Sequence, residues 1–232
     1  MKYMLKSGIG ALALLALVSC GSDNQPAALT DELVGALRGA LAQRQSLRKG
    51  QVVVQAADQV TRAQADESTF PLIRITSGNT GVKATAGALE RNGDTLTYLM
   101  ASDAGVYMRG GMMTGTRGTG SDLMSLALPH RSVAAIVKAG QHQRVHRYLN
   151  AENRLFKVAF SCSTTMGGAK TLTQLGRSYR VRTAVESCQG TMQDKAVSFQ
   201  NTYDMDARGQ VWKSRQWISP ASGYVVIEQL KP

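Results

Sequence analysis

The chain is short of the residues on which most enzyme and metal chemistry depends. Its 232 residues hold three cysteines, three histidines and five prolines, with aromatic residues at 6%. No histidine lies between Cys162 and Cys188, and two thiolates alone do not make a tetrahedral zinc site. His142 and His146 have the spacing that binds zinc on a helix, but the surrounding sequence reads as a strand. There they stand ~13 Å apart and cannot share an ion, so both are expected at the surface. There is no nucleophilic-serine elbow. Nor does any apolar run reach the ~20 residues a membrane-spanning helix needs. Acidic residues are also scarce, 16 against 27 lysines and arginines, which leaves a formal charge of +11.

The longest uncharged apolar run, residues 8–18, sits behind Lys2 and Lys6 and ends at Leu17-Val18-Ser19-Cys20. A positive start, a short apolar middle and small residues before a cut describe a secretory signal. The cut resembles the lipobox of bacterial lipoprotein precursors, in which the cysteine thiol receives a diacylglycerol and becomes the new N-terminus. The residue after Cys20 is Gly21 rather than Asp, which resembles the sorting pattern for the outer membrane. Residues 1–19 are therefore expected as signal peptide, and residues 20–29 as lipidated cysteine and tether. Residues 30–232 are expected to form a single β-rich domain.

Loss of Lys2 and Lys6 takes the charge from +11 to +9. For an exported lipoprotein that excess points to an anionic polysaccharide or a lipid headgroup surface as partner, and not to nucleic acid. In an oxidising compartment Cys162 and Cys188 are expected to pair. The loop they would close, about 27 residues, corresponds to roughly 3–4 kcal/mol of chain-entropy stabilisation.

Thr30 reads as an N-cap, and Leu33, Leu37, Ala40 and Leu41 recur at helical spacing, which predicts an amphipathic helix over 31–46. Residues 51–68 carry both strand and helix signals. From Pro71 the chain becomes a series of short β-runs parted by turn residues, interrupted by one predicted helix at 132–140 that Gly140 stops. Further strands are predicted at 142–150, 153–163, 170–187, 195–206, 210–219 and 223–230. Turns are expected at Met166-Gly167-Gly168 and Gln189-Gly190, among others. In 177–187, Tyr179, Val181, Thr183 and Val185 share one face, with Arg180, Arg182 and Glu186 on the other. Ten or so such strands predict a mainly β fold: an antiparallel meander curled into a barrel-like or half-barrel sheet, with an N-terminal helix and one or two short helices.

Several catalytic patterns come close and fail. Gly110 and Gly115 have phosphate-loop spacing, but Thr116-Arg117 stands where Lys-Ser/Thr is needed. Asp204 and Asp206 resemble the start of a calcium loop, with Arg208 in place of the third oxygen ligand; a hairpin turn is the better reading. As a carboxylate pair they have a glycosidase-like spacing but no pocket motif around them. What remains is cationic and aromatic residues in strands: Arg144, His146 and Tyr148 on one face with Arg147 opposite, and Lys213, Arg215 and Trp217 on one face with Trp212 opposite.

Four blocks, RGTGSDLMS (117–125), HRYLNAENRL (146–155), FSC (160–162) and SRQWISP…GY (214–224), in this order and spacing, resemble the YjbF/GfcB family of group 4 capsule lipoproteins. The resemblance runs from about Pro71 to Leu230. It implies a lipoprotein of the outer membrane serving capsule or exopolysaccharide production and export, with an all-β, barrel-like domain and other export proteins as partners. It implies no known catalytic activity and no established set of binding residues, and no cofactor or metal is expected. The residues expected to meet a ligand or partner are Arg117, Asp122, Arg147, Arg154, Arg215 and Trp217 from the shared blocks, with Arg180 and Arg182 from the outward basic face. The leading expectation is a non-enzymatic protein that binds polysaccharide or an export partner. The alternatives are a carrier with a lipid chain inside its sheet, and a polysaccharide-modifying enzyme.

If the lipobox is read correctly, Cys20→Ser leaves an unprocessed precursor that takes up no labelled palmitate. Equal labelling of the variant would contradict it.

Overall fold

A computed structural model describes residues 60–100, 104–119 and 121–232. The signal peptide, the tether and the helix expected at 31–46 lie outside them. The described chain opens with α1 (Arg62–Glu67), where Thr61 and Gln64 form a reciprocal capping box. Then come β1 (Leu72–Ser77), β2 (Lys83–Asn92), β3 (Thr95–Leu99), β4 (Gly105–Arg109), β5 (Met112–Arg117) and β6 (Ser125–Ala127). The predicted helix follows as α2 (Val133–Ala139), capped by Ser132 and ended by Gly140 at φ 71°. The second half is β7 (Gln141–Leu149), β8 (Leu155–Gln174), β9 (Arg177–Met192), β10 (Lys195–Met205), β11 (Val211–Ser219) and β12 (Gly223–Lys231).

These twelve strands make one antiparallel sheet in the order β5-β4-β3-β2-β1-β12-β11-β10-β9-β8-β7-β6. It curls until β5 and β6 meet, where the Thr116 N–H donates to Leu123 O (2.8 Å), so the sheet is nearly closed into a barrel. Gln216, reaching in from β11, also ties down β5. Its Oε1 accepts from Met113 N (2.8 Å) and its Nε2 donates to Gly111 O (3.1 Å). One side-chain amide thus satisfies a donor of the edge strand and a carbonyl of the turn that leads into it.

Two expected turns are not turns. Gly167 and Gly168 are absorbed as a bulge inside β8, where the register with β9 shifts between Met166 and Ala169. The chain reverses instead at Leu175-Gly176, both at positive φ. Gly190 lies in mid-strand because a side chain has no room there: a Cβ would come within 2.4 Å of Ala159 O. The reversal falls at Gln193-Asp194, which adopt φ 48° and 61° although neither is glycine. β5 and β6 were not anticipated: β5 and the segment after it are rich in glycine and threonine and read as a loop, and β6 is only three residues long.

One prediction tests this packing. Gly190→Ala should destabilise the domain by about 2 kcal/mol, because the neighbour it strikes is backbone. Gly168→Ala, with nothing within 4 Å of its new Cβ, should cost little. Equal urea midpoints for the two variants would contradict it.

Candidate functional site

Side chains in β7–β10 alternate between the barrel interior and the outer face, and the two sets differ in kind. The interior holds a buried ionic cluster. Glu186 of β9, fully buried, meets Arg144 of β7, 1% exposed, through its Oε2. The same oxygen accepts from Asn201 Nδ2 (2.8 Å) and the Tyr203 hydroxyl (2.9 Å), both on β10. His142 Nε2 lies 2.7 Å from Oε1. Burial opposes ionisation of Glu186, but the Arg144 charge and the hydrogen bonds from His142, Asn201 and Tyr203 outweigh it, leaving a pKa of about 2.

Both histidines expected at the surface are therefore interior. His146 is fully buried, held neutral by desolvation and by the nearby Arg144 charge. Tyr148 gives its hydroxyl proton to Ile218 O (2.6 Å), so it accepts from His146 Nδ1 (2.8 Å), which assigns the tautomer. Arg144 and Tyr148, expected on a binding face, belong to the same interior. Glu186 was expected outside. β9 keeps its alternation, but what covers each side changes along it. Near the β8–β9 turn Trp212 stacks on Tyr179 (3.8 Å between centroids), while from Ala184 onward the other side faces the core. His142, Cys162 and Glu186 converge within 4.8 Å, as metal ligands do. Yet the Cys162 sulfur is committed to the disulfide with Cys188, and the Arg144 guanidinium already neutralises the carboxylate. The donor set does not suit a metal ion.

The outer face of the same strands is a groove of about 690 Å³. Strand register lays its lining out in two cross-strand rows. One is Gln141, Ser163, Ser187 and Gln200; the other is Ser161, Gln189 and Ser198. Neighbours within a row are ~4.8 Å apart, and the rows are ~7 Å apart. The disulfide, Cα–Cα 4.1 Å, lies beneath, between Ser161/Ser163 and Ser187/Gln189. Arg215 and Tyr224 close one end, the guanidinium carbon 3.3 Å from the ring centroid. The Tyr224 hydroxyl accepts from Gln200 N (3.2 Å), which fixes the ring.

Trp217 explains why this face is concave. The sequence places it beside Arg215 on a wet face; in the structure it is 6% exposed. After Arg215, β11 leaves its ladder with β10, and the Trp217 N–H turns to Asn201 Oδ1 (2.8 Å). The indole then stacks on Phe199 (4.4 Å, 10° between planes) and sits 5.8 Å from the Phe160 ring. An aromatic core draws the strand inward, and Tyr224 occupies the outer space beside it.

The other expected site residues do not gather. Asp122 organises the β5–β6 loop, accepting from Thr116 Oγ1 (2.9 Å), Gly118 N (2.8 Å), Thr119 N (3.0 Å) and Thr119 Oγ1 (2.5 Å). Burial works against its charge, and these bonds more than offset it, lowering its pKa. Arg117 donates to Thr116 O (2.7 Å) and lies 5.7 Å over the Tyr107 ring. Arg147 is half-buried opposite Lys157, and Arg154 is exposed in the β7–β8 turn. Arg180 and Arg182 are exposed on the β8–β9 arm as expected, Arg182 donating to Gly167 O (2.9 Å). Asp206 holds the β10–β11 turn through Arg208 N (2.9 Å), Gln210 N (3.0 Å) and Trp212 Nε1 (3.1 Å); Asp204 accepts from Thr183 Oγ1 and pairs with Lys170. The serines and glutamines of the groove were missed because small polar residues on a strand look like ordinary solvated surface. Their alternation with buried Phe160, Cys162, Glu186, Cys188 and Phe199 was the available signal.

The ionic cluster has a pH signature. Because folding lowers the Glu186 pKa from 4.5 to about 2, its contribution is complete above pH 4.5 and lost as pH falls towards 2. The amount is roughly 3 kcal/mol. Glu186→Gln leaves Arg144 buried without a counter-charge and should cost about 3–5 kcal/mol at neutral pH. It should also flatten the acid limb between pH 4.5 and 2. An acid limb identical to that of the wild type would contradict the assignment.

No curated protein matches the sequence. Among solved structures, the hypothetical lipoprotein YmcC from Escherichia coli K12 shares the fold: TM-score 0.63 at 18% identity, covering 75% of this chain and 90% of that one. The family model for the group 4 capsule polysaccharide lipoprotein GfcB, or YjbF, matches residues 24–230, beginning well before the sequence blocks that carry the resemblance. With β5 to β12 and the whole groove inside that span, the chain belongs to the YjbF family of capsule polysaccharide lipoproteins.

Proposed function

We propose that this lipoprotein binds polysaccharide in the outer groove of β7–β12, as a non-enzymatic accessory of capsule or exopolysaccharide production or export. Cys20 then anchors it to the outer membrane, with the domain on the periplasmic side. The observation that carries the reading is the pair of hydroxyl and amide rows. Serine and glutamine side chains both donate and accept, so a regular array of them can match the hydroxyls of successive sugars. Tyr224 adds an aromatic surface at the groove's end. A chain of repeating units suits an open groove better than a closed pocket.

The family membership supports the polysaccharide, and the lining supports binding over catalysis. None of the groove-lining residues is a carboxylate or histidine that could serve as general acid or base. The lipid-carrier alternative asks for an empty apolar trough. The barrel interior is instead packed with Phe160, Phe199, Trp217 and the ionic cluster. A separate cavity of about 250 Å³, bounded by Leu96, Tyr98 and Met108, has Arg91, Asp94 and Gln210 among its walls.

The test uses the lipid-free domain and polysaccharide isolated from the surface of the cells that make it. Ser198→Trp fills the groove from an exposed position and should weaken binding at least tenfold without changing the melting temperature. Charge reversal of Arg180 and Arg182, which lie outside the groove, should leave affinity within about twofold. Binding carried by the hydroxyl and amide rows should fall no more than about tenfold in 1 M salt, where the Debye length is ~3 Å. Loss of binding in the arginine variant with full binding by Ser198→Trp would overturn the groove reading and favour the basic arm.

A further inference from the structure

Resting on the groove as the polysaccharide site, we infer that Arg215 reads a carboxylate on the bound sugar chain, so that the preferred ligand is an acidic polysaccharide. Among the described residues Arg215 is the only charged one lining the groove, and it is exposed. Several other cations of the domain have acidic partners, Arg74 and Lys213 sharing Glu228, Lys170 pairing with Asp204 and Arg131 with Asp94. Arg215 has none among the described residues. Its direct neighbours across the sheet are Thr202 and Val226, neither of them acidic.

What holds the guanidinium is a ring. It lies flat on Tyr224, whose hydroxyl is fixed by the Gln200 main chain. Stacking leaves the N–H groups around the rim of the guanidinium plane, at a residue that lines the groove. A planar fork presented this way fits a carboxylate through two parallel hydrogen bonds. The ordering entropy of a long side chain is met largely before the ligand arrives. The rows of serine and glutamine are indifferent to charge. They would hold any hydroxyl-rich chain, and Arg215 supplies the discrimination.

Uronic acid rings and pyruvate ketals are two common sources of carboxylate on polysaccharides, and chemistry separates them. Mild acid hydrolyses the ketal, releasing pyruvate and two sugar hydroxyls, and leaves uronates in place. Carbodiimide activation followed by borohydride converts the carboxyl groups to hydroxymethyl. The lipid-free domain is titrated with the cells' own surface polysaccharide in native, mild-acid-treated and carboxyl-reduced form, using wild type, Arg215→Gln and Arg215→Lys.

Wild type should bind the native polymer roughly tenfold more tightly than the carboxyl-reduced polymer, as expected for one charge-assisted pair. Arg215→Gln should bind both forms equally, at the level of wild type on the reduced form. Arg215→Lys keeps the charge but loses the fork and should recover only part of the preference. If mild acid alone abolishes the preference the ligand group is the ketal; if only reduction does, it is the uronate. Wild type binding native and reduced polymers alike would overturn the inference while leaving the groove reading intact. Loss of all binding by Ser198→Trp, with no effect from Arg215, would be that result in mutant form. Failure of every form to bind at low salt would instead remove the groove reading itself.

Discussion

A carboxylate buried in a β-barrel is stable only if its charge and both its oxygens are met by partners, and three strands meet this condition at Glu186. Arg144 and His142 reach it from β7, and Asn201 and Tyr203 from β10. Each contact exists at one strand register. Sliding β9 by one residue would turn Glu186 to solvent and leave Arg144 buried without a counter-charge, a cost of several kcal/mol. The Cys162–Cys188 bond between β8 and β9 imposes the same register covalently. The interior therefore decides what the exterior presents. With Glu186 and Cys188 inward, Ser187 and Gln189 face outward, and their neighbours on β8 and β10 line up with them as rows.

The concavity of those rows has a separate cause. Phe199, Phe160, Trp217 and His146 form one aromatic cluster with centroids 4.4 to 5.8 Å apart, and reaching it takes Trp217 out of its ladder with β10. The main-chain donor freed in the process goes to Asn201, which also serves Glu186. Asn201 thus joins the charge that sets the register to the bend that shapes the outer face. Tyr224 and Arg215 sit where the two strands part, at the end of the groove.

Much of the architecture was legible in the sequence because it follows local rules. Turn glycines, period-two alternation and the Ser132…Gly140 helix frame lead directly to an antiparallel meander, and the spacing of the four blocks leads to the family. The failures share one origin. Gly167-Gly168 and Gly190 carry the residues of a turn, but one pair absorbs a bulge and the other glycine admits a neighbouring carbonyl, and only the partner strand distinguishes these cases. Arg144, His146 and Glu186 look like surface because charge seldom enters a core alone; here they enter together, from strands some forty residues apart. Asp122 and Trp217 stood out in the shared blocks for what they are chemically, and their work is structural: one closes a loop, the other bends a strand. The groove was hidden for the opposite reason, being built of residues that draw no notice singly.

The central claim is that interior register aligns an exterior surface that holds polysaccharide. Amide chemical shifts of the ¹⁵N-labelled, lipid-free domain, followed during titration with the surface polysaccharide, test it most directly. The account predicts the largest changes at Ser161, Ser163, Ser187, Gln189, Ser198, Gln200 and Tyr224, on four strands but one face. Changes centred on Leu96, Tyr98 and Met108, or on the β8–β9 arm around Arg180, with the groove amides unmoved, would contradict it.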